Sequence, residues 1–377
     1  MFNDSNCIFE DLFVLELANN HWGSVERGLK IINDFGKIVR FNNVRAAIKL
    51  QIRDIESFIH KDYRNRNDVR YIKKTLSTIL SNEQLAILVS AIRKNSLIPM
   101  ATPFDERSVE FCVELGIDII KLASSDINDW FLIEKILKTK KPVIASTGGS
   151  SVKNTDDLVA VFEARRVPLA INHCVSLYPT EDNELELNQI DFLKNRYPGH
   201  IIGFSTHEYH DWETSMFVAY AKGARTFERH IDIESDGKAV SPYCSLPHEI
   251  DRWFKSYQRA REMCGNSGLH KRVTSVREIV YLDELVRGIY AKTNLPAGHV
   301  LVDTDVYLAI PLLKGQISCR EFMSGEKLIH NVKKDAPLFI DMIDSPYAHY
   351  DTLKDHIYAR GIDPNPLKRT IKVNKRR

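Results

Sequence analysis

From residue 12 to about 265 the chain alternates short runs of apolar, often β-branched residues with longer segments whose apolar positions recur every three or four residues. Eight such runs stand out: Leu12 to Glu16, Arg45 to Gln51, Leu97 to Ala101, Asp118 to Leu122, Pro142 to Ser146, Pro168 to Cys174, His200 to Ser205 and Ala224 to His230. Between them the helical period marks Val25 to Phe35, Glu83 to Lys94, Glu106 to Leu115, Thr155 to Ala164 and Thr214 to Lys222. Strand-helix alternation of this kind forces parallel pairing through right-handed crossovers. Eight units in about 250 residues predict an α/β fold, a (β/α)8 TIM barrel. An open doubly wound sheet would carry a Gly-rich phosphate loop after its first strand; the segment after Glu16 reads LANNHWGS instead.

The grain changes near Gly265. A barrel domain over residues 1 to 265 is followed by a polar connector, 266 to 286, and by short extended runs separated by turn signals such as Pro296-Ala-Gly298. These runs predict a small, mainly β domain over 287 to 344. A mixed polar extension, 345 to 377, closes the chain.

Composition narrows the function. The 377 residues are 44% apolar, enough for a buried core, and 52 Lys and Arg face 50 Asp and Glu for a formal charge of +2. That balance excludes a protein working by blanket attraction to nucleic acid. Six basic side chains and no acid lie in Lys368 to Arg377, leaving 46 basic against 50 acidic groups in the body. The six cysteines are scattered singly, which argues for reduced thiols in a cytoplasmic protein. No uncharged stretch reaches the ~20 residues of a membrane helix, and the acidic N-terminus, MFNDSNCIFEDL, lacks the basic start of a signal peptide.

In a barrel the chemistry sits at the carboxyl ends of the strands. All eight ends are polar here: Glu16 with Asn20 and His21; Lys49 and Gln51; Thr102; Lys121 with Ser124 and Asp126; Ser146 with Gly148; His173 with Ser176 and Tyr178; Ser205 with His207; Glu228 with His230. Each residue alone has a bland reading, a solvated cap, a turn hydroxyl or a satisfied core histidine. Their convergence on one mouth is costly unless ligands and partners satisfy it. Lys49 and Lys121 with Thr102, Ser124, Ser146, Ser176 and Ser205 suit a phosphate and a second anionic group. His207 and His230, on neighbouring strands, are able to share one divalent metal. Glu16, Asp126 and Glu228 are the candidate acids and bases.

These motifs resemble the sialic acid synthase, or N-acetylneuraminate synthase-like, family. The similarity covers residues 12 to 344 and is carried by Lys49-Leu-Gln51, Ala101-Thr-Pro-Phe104, Lys121-Leu-Ala-Ser-Ser-Asp126, His173-Cys-Val-Ser-Leu-Tyr-Pro179, Gly203-Phe-Ser-Thr-His207 and Phe227-Glu-Arg-His230. The small domain resembles the antifreeze-like (SAF) module of these enzymes. The resemblance implies condensation of phosphoenolpyruvate with the aldehyde of an amino or deoxyamino hexose, giving a nonulosonic acid and phosphate. Lys49, Thr102, Lys121, Ser124, Ser146, Ser176 and Ser205 would then hold phosphoenolpyruvate, and His207 and His230 a divalent metal, Mn2+ first, with Mg2+ or Co2+ as alternatives. Glu16, Gln51, Asp126, Tyr178 and Glu228 would line the sugar and water side. It further implies a homodimer with exchanged C-terminal domains.

Two departures fall on the sugar side. Relatives acting on N-acetylmannosamine carry an aspartate where Ser241 stands, and an Arg-Pro-Gly sequence where this chain reads Ala309-Ile-Pro-Leu-Leu-Lys-Gly315. The expectation is retained chemistry with an altered acceptor, such as a differently substituted deoxy sugar, with Lys314 or Arg320 as substitute contacts. Competing readings are a barrel synthase making a shorter keto acid, a metal-dependent aldolase, and a silent sugar-binding scaffold.

Overall fold

The computed structural model describes residues 4–66, 68–265, 268 and 270–364. The basic run Lys368 to Arg377 lies outside them. The chain divides at Gly265 into two compact units.

The first unit is a closed parallel barrel. Its strands are β1 (Leu12–Ala18), β2 (Arg45–Ile52), β3 (Ile98–Pro103), β4 (Ile119–Leu122), β5 (Val143–Ser146), β6 (Leu169–Cys174), β7 (Ile201–Thr206) and β8 (Thr226–Ile231). Each pairs with the next, and β8 closes on β1 with Leu12 opposite Thr226 and Glu16 opposite His230. All eight expected runs are strands, with ends displaced by one or two residues. A ninth short strand, β9 (Cys244–Ser245), pairs in parallel with the end of β8, Cys244 opposite His230.

Helices surround the barrel. The five expected ones match Val25–Asn42, Asn82–Lys94, Glu106–Glu114, Val152–Arg165 and Trp212–Lys222, the third ending one residue short of the expected Leu115, and Trp130–Lys138, Asn188–Arg196 and Pro247–Cys264 complete the layer. Their starts are set by local chemistry: Ser24, Asp105, Ser151 and Asp211 each accept from a backbone N–H one turn ahead. Between β2 and β3 the chain makes a longer excursion through Ile55–Phe58, Lys61–Tyr63 and a helix over Arg70–Ser77.

Strand geometry sorts the side chains, because alternate residues face opposite sides of a sheet. Phe13, Leu15, Ile48, Leu50, Ile120, Val143, Ile171, Phe204 and Phe227 face outward into the core shared with the helices. Leu12, Val14, Ala47, Met100, Ile119, Ile144, Ala170 and Ile201 fill the barrel interior, and Phe9 joins them from the segment before β1. One step higher, Thr226 donates to Asn172 across the interior at 2.5 Å. Gly203 sits against that bond, where a Cβ would fall 1.8 Å from Thr226 Oγ1 and 2.2 Å from Asn172 Oδ1.

The second unit is built on two antiparallel pairs, Gly288–Ala291 with Val306–Ala309 and Lys327–Leu328 with Ile343–Asp344. Bridges at Leu295–Val332, Val300–Lys327 and Gln316–Phe339 join the remaining extended runs. Within the segment read as a connector, Val276–Asp283 is helical, capped by Ser275. Ile357, from the helix Asp351–Tyr358, is buried in this unit's core with Ile289, Leu301, Leu338 and Ile343. The unit therefore draws on residues past 344.

Candidate active site

The inward parity that fills the barrel floor continues upward into polar residues. On β1 it runs Leu12, Val14, Glu16; on β2 Ala47, Lys49, Gln51; on β4 Ile119, Lys121; on β8 Thr226, Glu228, His230. Thr102, Ser146 and Ser205 follow in the same way on β3, β5 and β7. Glu16, Lys49, Thr102, Lys121, Ser146, Ser205, His207 and Glu228 are all buried. Gln51, Ser124, Asp126 and His230 are half-buried, and Ser176 and Tyr178 are exposed at the rim.

At the centre stand two lysines and two glutamates. Lys49 Nζ bonds Glu228 Oε1 at 2.8 Å and pairs with Glu16 Oε2. Lys121 Nζ lies 3.9 Å from the same Glu228 oxygen and donates to Ser146 Oγ at 2.6 Å, while Ser205 Oγ donates to Glu228 at 3.2 Å. Burial alone would raise the Glu228 carboxyl, but Lys121 and Lys49 outweigh it and hold Glu228 down at about 2. Burial would lower Lys49, yet the two glutamates raise it; Lys121, with less compensation, is pushed down by burial. Glu16 is raised, chiefly by burial and next, against the pull of Lys49, by the charge of Glu228. Glu228 is thus the fixed counter-ion and Glu16 the more basic carboxylate.

Glu16 also shapes its own strand. Its Oε1 accepts from the Ala18 N–H at 2.7 Å, closing an irregularity in the β1–β2 register between Glu16 and Ala18, where Ala18 turns to φ +50°. This local bond carries β1 two residues past its expected end.

A hydroxyl cradle adjoins Lys121. Ser124 Oγ accepts from the Gly148 N–H at 3.1 Å, and a Cβ on Gly148 would lie 2.2 Å from Ser176 Oγ and 2.9 Å from Ser124 Oγ. Only glycine lets the two serines approach the backbone so closely. Thr102 Oγ1, Asp126 Oδ2 and Glu228 Oε2 are buried without a hydrogen-bond partner. Such groups carry a desolvation cost unless a bound molecule meets them.

The two histidines lie across the mouth with ring centroids 5.4 Å apart, enclosed by Tyr178 at 4.0 Å from His207 and Tyr243 at 5.2 Å from His230. His207 Nδ1 bonds Val175 O at 3.0 Å, which leaves Nε2 free. Burial pushes His207 down to about 4 and His230 well below its ordinary value. Neutral imidazoles with an oriented second nitrogen are suited to a divalent cation. Among the described residues no group of three or more His, Cys, Asp and Glu gathers in a metal-holding arrangement.

The other polar residues singled out near the strand ends divide. His173 bonds Leu185 O at 2.7 Å, and Asn20 donates to Ile231 O at 2.8 Å, so both are structural. Buried pairs that spacing does not reveal hold the loops after β7 and β8: Arg27 with Asp232 at 2.7 Å, and Arg229 with Glu208 at 3.3 Å. Tyr243 was not legible as a site residue, whereas Arg53 repeats the parity of Lys49 and Gln51 and was readable on that ground. Ser241 lies in the turn leading to β9, where Cys244 N–H bonds its carbonyl at 2.9 Å. Lys314 and Arg320 belong to the second unit. No single helix among the described residues is long and apolar enough to cross a membrane.

Comparison with known proteins agrees with the barrel fold. The model of the NeuB family matches residues 42–268. A solved structure from Chromobacterium violaceum, described as a spore coat polysaccharide biosynthesis protein E, is 35% identical with a TM-score of 0.85, covering 89% of this chain and 100% of that one. N-acetylneuraminate-9-phosphate synthase of Drosophila melanogaster is 25% identical over 90% of this chain and 98% of its own. N,N'-diacetyllegionaminic acid synthase of Campylobacter jejuni is 23% identical over 86% and 97%. The chain belongs to the NeuB family of sugar acid synthases.

Proposed function

We propose that the protein condenses phosphoenolpyruvate with the open-chain aldehyde of an amino or deoxyamino hexose, giving a nine-carbon nonulosonic 2-keto-3-deoxy acid and inorganic phosphate. The observation that carries this reading is the buried pair Lys49 and Lys121 around one Glu228 oxygen, beside the Ser124, Ser146, Ser176 and Gly148 cradle. Two ammoniums and several hydroxyls in a water-poor mouth favour a small, highly charged anion over a neutral sugar.

In this reading Lys121, Ser124, Ser146 and Ser176 grip the phosphate, and Lys49, Thr102 and Ser205 meet the carboxylate end. A new C–C bond joins the methylene carbon of phosphoenolpyruvate to the aldehyde carbon, whose oxygen takes a proton. Positive charge develops on the carbon bearing phosphate, and Glu228, held ionised, stabilises it. Water adds there and gives a proton to Glu16, the carboxylate whose raised pKa suits a base. The C–O bond to phosphate then breaks as the keto group forms and the remaining hydroxyl proton leaves. Asp126, Gln51 and Tyr178 face the sugar. His207 and His230 would hold a divalent ion, Mn2+ in the first place, which when bound supplies Lewis-acid polarisation of an aldehyde oxygen.

The same reading takes the second unit as an antifreeze-like (SAF) module and the enzyme as a cytoplasmic homodimer with exchanged C-terminal domains. The near full-length match to the Drosophila synthase supports the reading of the chain as a sugar acid synthase. Phosphate release from phosphoenolpyruvate should require both acceptor and Mn2+ and vanish in His207→Ala and His230→Ala. Release without an acceptor, or a product lacking the mass of sugar plus three carbons, would sink the proposal. If N-acetylmannosamine gave the highest kcat/KM in a panel, the altered-acceptor expectation would be wrong.

A further inference from the structure

His207 and His230 stand on separate strand ends, and the contacts that bind those ends together lie behind the barrel wall. Alternation along β8 turns Glu228 and His230 inward and Arg229 outward, toward the helix layer. Arg229 is only 1% exposed there, on the far side of the sheet from the mouth. Its guanidinium reaches two other segments. Nη2 donates to Glu208 O at 2.8 Å, one residue past His207. Nε donates to Ser245 Oγ at 2.6 Å on β9, the strand whose Cys244 stands opposite His230. Nη1 pairs with Glu208 Oε2 at 3.3 Å, while Ser215 Oγ donates to the other oxygen of that carboxylate. The Trp212 ring, its centroid 5.1 Å from the guanidinium, packs over the group.

Stability does not account for this cluster. Glu208 and Arg229 are both fully buried, and a buried ion pair is often no better than apolar residues of the same volume, because both charges lose their hydration. Here the compensation is poorer still. Glu208 Oε2, Arg229 Nη1, Thr206 Oγ1 and Trp212 Nε1 are all buried without a hydrogen-bond partner among the described residues. The two bonds that Arg229 makes well run to the backbone beside His207 and to the strand beside His230. Registry of those two segments is therefore what the pair secures. The neighbouring contacts share that direction: the Thr180 N–H bonds His207 O at 3.1 Å, and Tyr243, just before β9, stands perpendicular to the His230 ring.

We propose that Arg229 is a positioning residue for a divalent metal: by clamping Glu208 and Ser245 it fixes the separation of His207 and His230, so that both imidazoles meet one ion. This rests on the reading of those two histidines as the metal site. Ligands must be held to within about 0.5 Å of the productive geometry, so a small relaxation of either strand end weakens the ion's binding. The planar fork of Arg229 suits the task, because one rigid group donates in two directions at once. The phosphoenolpyruvate cradle of Ser124, Ser146, Gly148 and Ser176 belongs to β4, β5 and β6 and the loops after them, and it should not respond to the clamp.

Metal binding measured without turnover tests this. Mn2+ is titrated into the chelator-treated full chain and the unbound ion is followed by electron paramagnetic resonance, with phosphoenolpyruvate affinity taken calorimetrically on the same samples. Arg229→Lys, which keeps the charge and loses the fork, should weaken Mn2+ binding ~10- to 100-fold, the range for partners that orient metal ligands. Ser245→Ala, which leaves the ion pair intact and removes one hydrogen bond, should weaken it ~3- to 10-fold. Phosphoenolpyruvate affinity should change less than about twofold in both. Leu158→Ala opens a cavity in the helix layer away from the clamp and should leave Mn2+ affinity at the parent value. Unchanged Mn2+ affinity in Arg229→Lys and Ser245→Ala overturns the proposal. So does a parallel loss of Mn2+ and phosphoenolpyruvate affinity, or an equal loss in Leu158→Ala, since either marks a cluster that only supports the fold. If Arg229→Lys is insoluble, Ser245→Ala decides by the same criteria. A parent that binds no Mn2+ refutes the metal reading and the clamp with it, whereas a parent and variants that bind equally refute the clamp alone.

Discussion

Replacing Glu228 by Gln keeps the shape of the side chain and an oxygen for Ser205 and Lys49 but removes the charge shared by two buried lysines. Lys49 retains Glu16 as partner. Lys121, whose Nζ lies 3.9 Å from Glu228 Oε1, keeps only the Ser146 hydroxyl and the Leu122 carbonyl. At that separation and an effective dielectric of ~20 the lost attraction is about 4 kcal/mol, in line with the ~3–5 kcal/mol seen when one partner of a buried pair is removed. All four tryptophans, Trp22, Trp130, Trp212 and Trp253, lie in the barrel unit, so denaturant unfolding followed by fluorescence reports on it. The variant should lose ~3–4 kcal/mol at pH 7. Lys121 can escape by releasing its proton. A folded-state lysine pKa below the unfolded value means the unfolded chain binds more protons, so the variant should recover up to ~1.4 kcal/mol per unit as pH rises toward ~10. Inorganic phosphate should recover part of the loss as well, by placing an anion on Lys121. A variant within ~0.5 kcal/mol of the parent at pH 7, with no pH or phosphate dependence of the difference, would refute the assignment of Glu228 as the counter-ion of this site.

Three further outcomes follow from the same structure. Gly148→Ala would press a methyl group against Ser124 and Ser176; phosphoenolpyruvate affinity measured by calorimetry should fall roughly tenfold or more while the unfolding midpoint moves little. Gly203→Ala meets Thr226 and Asn172 in the barrel interior, including the Thr226 carbonyl at 2.7 Å, so a loss of about 3 kcal/mol or more, or insoluble protein, is expected in the same assay. His21 is buried and pushed down to about 4, so the unfolded chain takes up its proton first as pH falls below ~6.5; this costs up to ~3 kcal/mol by pH 4. His21→Asn, which keeps an acceptor for the Gly23 N–H, should flatten the acid limb of the stability curve, and an unchanged slope would rule His21 out.

Strand order, barrel closure and the inward row of polar residues were legible in the chain itself because they rest on short-range periodicity. Once Leu12 and Val14 face in, so does Glu16, and the same step of two places Lys49 above Ala47 and Lys121 above Ile119. Residue spacing says nothing, by contrast, about which charge answers which. Lys49 and Glu228 are 179 residues apart, and their 2.8 Å contact exists only because β1 pairs with both β2 and β8. That closure holds Glu228 ionised and leaves Glu16 the more basic carboxylate, two residues equivalent in sequence and separated by unequal distances to two lysines. Tertiary packing likewise decides that Ile357 completes the second unit's core. The sequence alone thus determined which residue types face the mouth, since backbone geometry is local. The pairing and protonation of those residues came only from tertiary structure, since burial and electrostatic compensation depend on what the fold brings within a few ångströms.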